Sequence, residues 1–116
     1  MSDAFDEDAL MDRVDGDMEF LEETITMLDE DGPSLLEQVR AAAAASDATA
    51  LVESAHALKS MVGNFCADAA ERAARELEEM GRENRLTDVD AAVDRLKQEL
   101  GALLKALNQF VQAKTE

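Results

Sequence analysis

The only histidine of this chain, His56, lies in a segment whose residues favour a helix. At about 100° of rotation per residue, the apolar side chains of this segment centre about 140° away from His56, so we expect the imidazole to face solvent. Lys59 then lies about 60° to one side of the histidine and Ser60 about 40° to the other, with Gly63 about 20° away. The apolar face comprises Leu51, Ala55, Leu58, Val62 and Phe65. A solvent-facing imidazole with a cation one turn away and small neighbours has the geometry of a nucleophile that another protein can reach.

An exposed imidazole can act as a nucleophile toward phosphorus. Its protonation changes near physiological pH, and its attack on a phosphoryl group gives a phosphoramidate that transfers onward readily. We expect the positive charge of Lys59 to disfavour the imidazolium, which keeps the nucleophile neutral, and to pair with incoming phosphoryl oxygens. A glycine inside a helix costs about 1 kcal/mol relative to alanine, so Gly63 indicates a place where a partner's backbone comes close. Ser60 is small for the same reason and can donate a hydrogen bond.

The composition indicates one all-helical domain over residues 1–116. Hydrophobic residues make up 47% of the chain but aromatic residues only 3%, and β-branched residues are too scattered to build a sheet. Phosphates would repel a net charge of −16, so neither nucleic acid nor an anionic membrane surface is an expected partner. No apolar run approaches membrane-spanning length, and the acidic start lacks signal-peptide features. We therefore expect a cytoplasmic protein, and a monomer.

The apolar spacing predicts an antiparallel up-down four-helix bundle over about 17–114, preceded by a short additional helix at about 5–14. The first bundle helix, at about 17–45, contains Pro33 in its interior. Its apolar stripe keeps its register across the proline, so one long kinked helix is preferred to the alternative of two helices joined by a tight turn. The remaining bundle helices are predicted at about 47–65, about 66–84 and from about 89 onward.

The chain has a single cysteine, Cys66, so no internal disulfide can form, which suits a reducing compartment. From the sequence it is open whether a short break near Cys66 and Ala67 separates the helix of His56 from the next one. Two antiparallel helices need a turn there, and Asp68 is a candidate cap for the second of them. We expect the side chain of Cys66 to be buried.

The segment from Ala55 to Phe65, AHALKSMVGNF, resembles the signature of histidine phosphotransfer (HPt) domains of two-component phosphorelays. The family pattern is roughly A-H-x-L-K-G-x-x-G-N-hydrophobic-G. The matching positions are His56, Leu58, Lys59, Gly63 and Asn64. Asp47 and the pair Leu77-Glu78 also resemble the family, and the similarity extends over nearly the whole chain. The departures are Ser60 and Cys66, where the family usually has glycine.

This resemblance implies that His56 carries a phosphoryl group, that Lys59 assists it electrostatically and that Gly63 leaves room for it. The implied partners are response-regulator receiver domains, whose aspartate exchanges the phosphoryl group with Mg²⁺ bound on the receiver, together with a histidine or hybrid kinase. The chain would need no cofactor of its own. It would be a carrier and not an enzyme, since it has no glycine-rich phosphate loop and no kinase motif. The patch expected to bind partners comprises Val52, Ser60, Gly63 and Asn64, with Val52 as a docking hydrophobe.

Other functions remain open from the sequence. The chain could be a detached phosphotransfer module that a chemotaxis-type histidine kinase phosphorylates in trans. It could also be a helical adaptor that never carries phosphate. A metal site is not expected, because one histidine and one cysteine ten residues apart give no recognised ligand spacing. The paired acids of the chain do not continue into a calcium-loop pattern either.

Overall fold

The computed structural model describes residues 4–115, which form five helices and no strand. The helices are α1 (Glu7–Arg13), α2 (Met18–Ala44), α3 (Ala48–Gly63), α4 (Asp68–Arg82) and α5 (Val89–Thr115). The all-helical class predicted from the sequence is confirmed, and each predicted segment contains one observed helix. No helix in the described part of the chain is long and apolar enough to span a bilayer.

The second helix continues through Pro33. It begins after Asp17, whose side chain accepts a hydrogen bond from the backbone N–H of Phe20 at 3.0 Å. The buried residues of its apolar stripe include Leu21, Ile25, Leu28 and Val39. Where the stripe reaches Gly32, Leu100 of α5 packs against the helix, and a Cβ at Gly32 would lie at van der Waals distance, 3.5 Å, from its Cδ1 atom. The prediction of one long helix is confirmed, and the two-helix alternative is wrong.

The four long helices close into a ring. α2 packs against α3 and α5, and α4 packs against the same two helices. The largest fully buried side chains are mostly leucines, among them Leu51, Leu58, Leu77, Leu96 and Leu103. Because full burial of a leucine contributes about 1.5–3 kcal/mol, this shared core fixes α3 firmly and leaves its outer face free for chemistry.

The short helix α1 covers one end of the ring. Phe5, just before it, packs edge-on against Phe110 of α5, with ring centroids 5.5 Å apart. The backbone N–H of Asp6 donates to the carbonyl oxygen of Cys66 at 3.0 Å. These contacts fasten α1 to α5 and to the turn between α3 and α4.

The turn between α3 and α4 is built around Cys66, whose φ of +56° lies in the left-handed region. A side chain costs about 1–2 kcal/mol in this region, which is why glycine would suit the position better. Cys66 is half-buried, so the prediction of a buried side chain is wrong. The expectation that Asp68 caps α4 is also wrong. The N-cap residue is Ala67, without a side-chain hydrogen bond, and Asp68 is in the first turn, where its charge suits the helix dipole.

The helices α3 and α4 lie close together at Gly81. A Cβ on Gly81 would lie 2.7 Å from Cγ2 of Val52 and 3.1 Å from the carbonyl oxygen of Ala48. At the other end of the same helix pair, a Cβ on Gly63 would lie 3.5 Å from Oε2 of Glu71. The start of α3 therefore meets the end of α4, and the end of α3 meets the start of α4.

Candidate functional site

His56 lies in the middle of α3, on the outer face of the ring. α3 starts after Asp47, whose side chain accepts a hydrogen bond from the backbone N–H of Ala50 at 3.1 Å. Leu51, Leu58 and Val62 bury the opposite face of the helix. The side chain of His56 is 55% exposed, in agreement with the orientation predicted from helical spacing.

A buried carboxylate lies beneath the imidazole. Glu78 of α4 is 1% exposed, and its Oε2 atom lies 2.9 Å from Nδ1 of His56. Its Oε1 atom lies 2.7 Å from Nζ of Lys59, and Oε2 also accepts a hydrogen bond from Nη2 of Arg82 at 2.6 Å. One carboxylate thus binds three donor groups from two helices, and these donors replace the water that burial removes.

The surroundings of Glu78 keep it ionised. Burial by itself raises the pKa of this carboxyl. The hydrogen bonds from Lys59 and His56 and the positive charges of Lys59 and Arg82 outweigh burial, so its pKa falls below the ordinary value of 4.5. At neutral pH Glu78 is therefore an acceptor only.

An ionised Glu78 fixes the tautomer of His56. Because the carboxylate can only accept, Nδ1 of the imidazole must carry the proton that forms the 2.9 Å hydrogen bond. In the neutral ring the lone pair then lies on Nε2. The imidazole consequently offers its nucleophilic nitrogen on the side away from Glu78.

Lys59 has a different environment from the one expected. It is 24% exposed and its ammonium group binds Glu78, so its charge is balanced by a carboxylate that sequence reasoning did not place there. Lys59 and Arg82 carry one positive charge each and Glu78 one negative charge, so these three groups beside the imidazole have a net charge of +1. This net charge favours an arriving phosphoryl group over a cation.

The other residues expected to bind partners lie on two sides of His56. Val52 is half-buried and packs against α4 at Gly81. Gly63 is half-buried and lies beside Glu71 on the same side. The structure therefore brings both residues to the contact between α3 and α4, Val52 near Gly81 and Gly63 near Glu71.

Ser60 and Asn64 lie on the opposite side of His56, toward α1 and α2. Both are exposed and line a groove of about 590 Å³ between α1, α2 and α3. The side-chain oxygen of Asn64 accepts a hydrogen bond from Nη2 of Arg13 at 3.2 Å, which ties the end of α3 to α1. The remaining lining residues are mainly apolar and include Leu10, Val14, Phe20, Met27 and Met61.

Two of the groove residues are the exposed large hydrophobic side chains of the described structure. Phe20 is 50% exposed and Met27 is 56% exposed, and both belong to α2. They are seven residues apart, so they lie on one face of the helix. Sequence reasoning missed them because they fall outside the core stripe of α2. The sequence feature that could have indicated them is the occurrence of two large apolar residues at helical spacing, away from that stripe.

Sequence reasoning also left Glu78 out of the site. The sequence feature that could have indicated Glu78 is its position on the helix. Ala74, Glu78 and Gly81 share one face of α4, and the acid interrupts a row of small buried residues. An acid at such a position needs partners on the facing helix. Within residues 4–115, no three histidine, cysteine, aspartate or glutamate side chains are grouped to hold a metal ion.

One comparison with known proteins identifies a family. The family model described as "Hpt domain" matches residues 10–106, a range that includes every residue of the network around His56. No curated protein and no solved structure matches the chain.

Proposed function

Because this chain belongs to the Hpt-domain family, we propose that His56 accepts a phosphoryl group from one two-component signalling protein and donates it to another. Hpt domains are phosphocarriers and not kinases, and they act with kinases and response regulators. The observation that carries the proposal is the hydrogen bond between Nδ1 of the half-exposed His56 and buried Glu78, which leaves Nε2 without that contact and available as the nucleophile. The opposed ends of α3 and α4 support the predicted up-down bundle, whose packing holds His56 and Glu78 in a fixed relative position.

Acceptance of the phosphoryl group needs no proton transfer at His56. The lone pair of Nε2 attacks the phosphorus of a receiver's aspartyl phosphate, a nitrogen–phosphorus bond forms, and the bond from phosphorus to the aspartate oxygen breaks. The aspartate leaves as a carboxylate, and the imidazole becomes a phosphorylated imidazolium because Nδ1 keeps its proton. The negative charge of Glu78 stabilises that imidazolium at 2.9 Å.

Donation reverses these steps with the same groups. A receiver aspartate attacks the phosphorus, the nitrogen–phosphorus bond breaks, and the imidazole leaves neutral with the proton still on Nδ1. The retained proton makes Nε2 a good leaving group, since the departing ring bears no negative charge. Glu78 is in this account a positioning residue, while His56 is the group that reacts.

The positive charges of Lys59 and Arg82 can stabilise the negatively charged phosphoryl oxygens. Lys59 and Arg82 both bind Glu78 in the unphosphorylated chain. Arg82 is 62% exposed and guanidinium groups have several N–H donors, so it can bind Glu78 and a phosphoryl oxygen at once. We propose that Lys59 assists electrostatically from beneath and that Arg82, which sequence reasoning did not include, assists from the rim.

A receiver domain would dock over His56 with its apolar contacts in the groove between α1, α2 and α3. Ser60 and Asn64 lie at the edge of that groove, whereas Val52 is engaged by α4. We therefore propose Phe20 and Met27 as the docking hydrophobes in place of Val52. In this complex the Mg²⁺ belongs to the receiver, and the chain acts as a monomer without a cofactor.

The test is a phosphotransfer assay with radiolabelled receiver domains from the source organism, comparing the wild type with His56→Gln. We expect rapid labelling of the wild type by at least one receiver and none of the glutamine variant. Equal labelling of both proteins, or labelling of neither by any receiver, contradicts the proposal. Labelling of the wild type by an ATP-loaded chemotaxis-type kinase but by no receiver would instead support a module phosphorylated in trans.

A further inference from the structure

The negative charge of the chain is concentrated in its first half. Residues 1–54 contain 16 acidic and two basic side chains, whereas residues 55–116 contain 11 acidic and nine basic ones. The ion pairs of the described residues follow the same division. They all involve residues from His56 to Arg95, and no acid of α1 or α2 within the described range is in an ion pair. The acids of α1 and α2 therefore carry negative charge that no ion pair among the described residues offsets.

Part of this charge borders the apolar groove beside His56. On α2, Glu23 lies three residues after Phe20 and four before Met27, so it occupies the same helical face between them. Glu30 follows Met27 by three residues and continues that row. Glu23 and Glu30 are both exposed. The cation that lines the groove, Arg13, donates a hydrogen bond to Asn64.

We propose that this groove selects receiver domains whose docking helix carries lysine or arginine beside its apolar side chains. The inference rests on the function proposed above and adds the chemistry of the partner. Apolar side chains of the receiver would occupy the groove at Phe20 and Met27, and its cations would meet Glu23 and Glu30. Such charge complementarity raises the association rate and disfavours partners with acidic rims. A second copy of this chain is a poor occupant, because it would bring the same charge of −16 to the interface.

The test uses the receiver that transfers phosphate fastest to the wild type. The groove variant is Glu23→Lys/Glu30→Lys. The matched control is Asp90→Lys/Asp94→Lys on α5, which changes net charge equally at exposed residues of a helix that lines no part of the groove. Association rates are measured by stopped flow from about 20 mM to about 500 mM KCl, a range over which screening becomes strong.

We expect association of the groove variant to be about tenfold slower than wild type at low salt, within the range known for electrostatic steering. The control should stay within about twofold, and the difference should vanish at the highest salt because surface charges are then screened. Equal rates for the groove variant and the wild type, or equal slowing of variant and control, would overturn the inference.

A small phosphoryl donor distinguishes the reactivity of His56 itself from the selection of receivers by charge at the groove. Potassium phosphoramidate can phosphorylate an exposed imidazole without docking, so its rate at His56 should be the same in all three proteins. If no receiver labels the wild type, the proposed function fails and the inference fails with it. If receivers label every variant at the same rate, the proposed function stands and the charge selection is refuted.

Discussion

Replacement of Glu78 by glutamine is the sharpest perturbation of the network beside His56. The amide is nearly isosteric with the carboxylate, but it is uncharged and can donate as well as accept. A glutamine NH₂ group that faces Nδ1 would bind its lone pair and move the proton to Nε2, which blocks the nucleophile. A glutamine that accepts from Nδ1 keeps the correct tautomer but no longer balances the imidazolium charge of phosphohistidine.

The magnitude follows from the charge separation. Oε2 of Glu78 lies 2.9 Å from Nδ1, and because each charge is spread over its group, a separation of about 4 Å is the shorter estimate for the two charges. At that distance two unit charges attract by about 1 kcal/mol in water and by about 4 kcal/mol at an effective dielectric constant of 20. Since His56 is 55% exposed and Glu78 is buried, the value lies between these limits. A loss of about 2 kcal/mol corresponds to phosphotransfer about 30-fold slower, and a shifted tautomer adds to that loss.

The assay is single-turnover transfer from a phosphorylated receiver, followed across pH. The matched control is Glu79→Gln, the same chemical change one residue along α4 at an exposed side chain. Glu78→Asp keeps the charge and should recover part of the rate. Circular dichroism confirms that each variant is folded, because loss of a buried carboxylate also leaves Lys59 and Arg82 without their partner.

One outcome would refute this reasoning directly. If folded Glu78→Gln transfers phosphate as fast as Glu79→Gln at every pH, the carboxylate neither sets the tautomer nor stabilises the phosphorylated ring. An equal loss in Glu78→Asp and Glu78→Gln, despite the restored charge, would assign the effect to packing and not to electrostatics.

Three further predictions concern packing, docking and acid stability. Gly81→Ala should lower the free energy of unfolding by about 1–3 kcal/mol, because its Cβ would lie 2.7 Å from an α3 side chain. Gly101→Ala, which has no such neighbour within 4 Å, should raise the same free energy by about 1 kcal/mol. Urea titration measures both values, and equal effects of the two substitutions would contradict the close approach at Gly81. Phe20→Ala/Met27→Ala should change that free energy little but raise the receiver concentration needed for half-maximal transfer at least about tenfold, and unchanged saturation would remove the groove from the docking surface. Because folding lowers the pKa of Glu78, its ionised form stabilises the fold above pH 4.5, and this contribution is lost as the pH falls through the lower folded-state pKa. Urea titrations from about pH 6 to about pH 3 should show a steeper loss for the wild type than for Glu78→Gln, and parallel curves would contradict the lowered pKa.

The helices and the orientation of His56 could be predicted from the sequence because both depend on local spacing. The apolar stripe of α3 requires one face to be buried, and the imidazole lies opposite that face whatever α3 packs against. The continuous stripe across Pro33 likewise predicted one helix, since a break would have moved later apolar residues off the core face.

The partner of His56 could not be predicted in the same way. Glu78 is 22 residues away, and its contact with Nδ1 depends on how closely α4 approaches α3. The absence of a side chain at Gly81 permits that close approach, since a Cβ there would lie 3.1 Å from the backbone carbonyl oxygen of Ala48. Helical spacing describes the faces of one helix but not the separation of two. The role expected for Lys59 changed for the same reason, since its counter-ion comes from the neighbouring helix.

Phosphorylation of ¹⁵N-histidine-labelled protein by a phosphorylated receiver, followed by ³¹P–¹⁵N NMR, tests the central claim most directly. The account predicts a single phosphoramidate on Nε2 of His56, with Nδ1 still protonated. A phosphoryl group on Nδ1, or on any other residue while His56 stays unmodified, would contradict it.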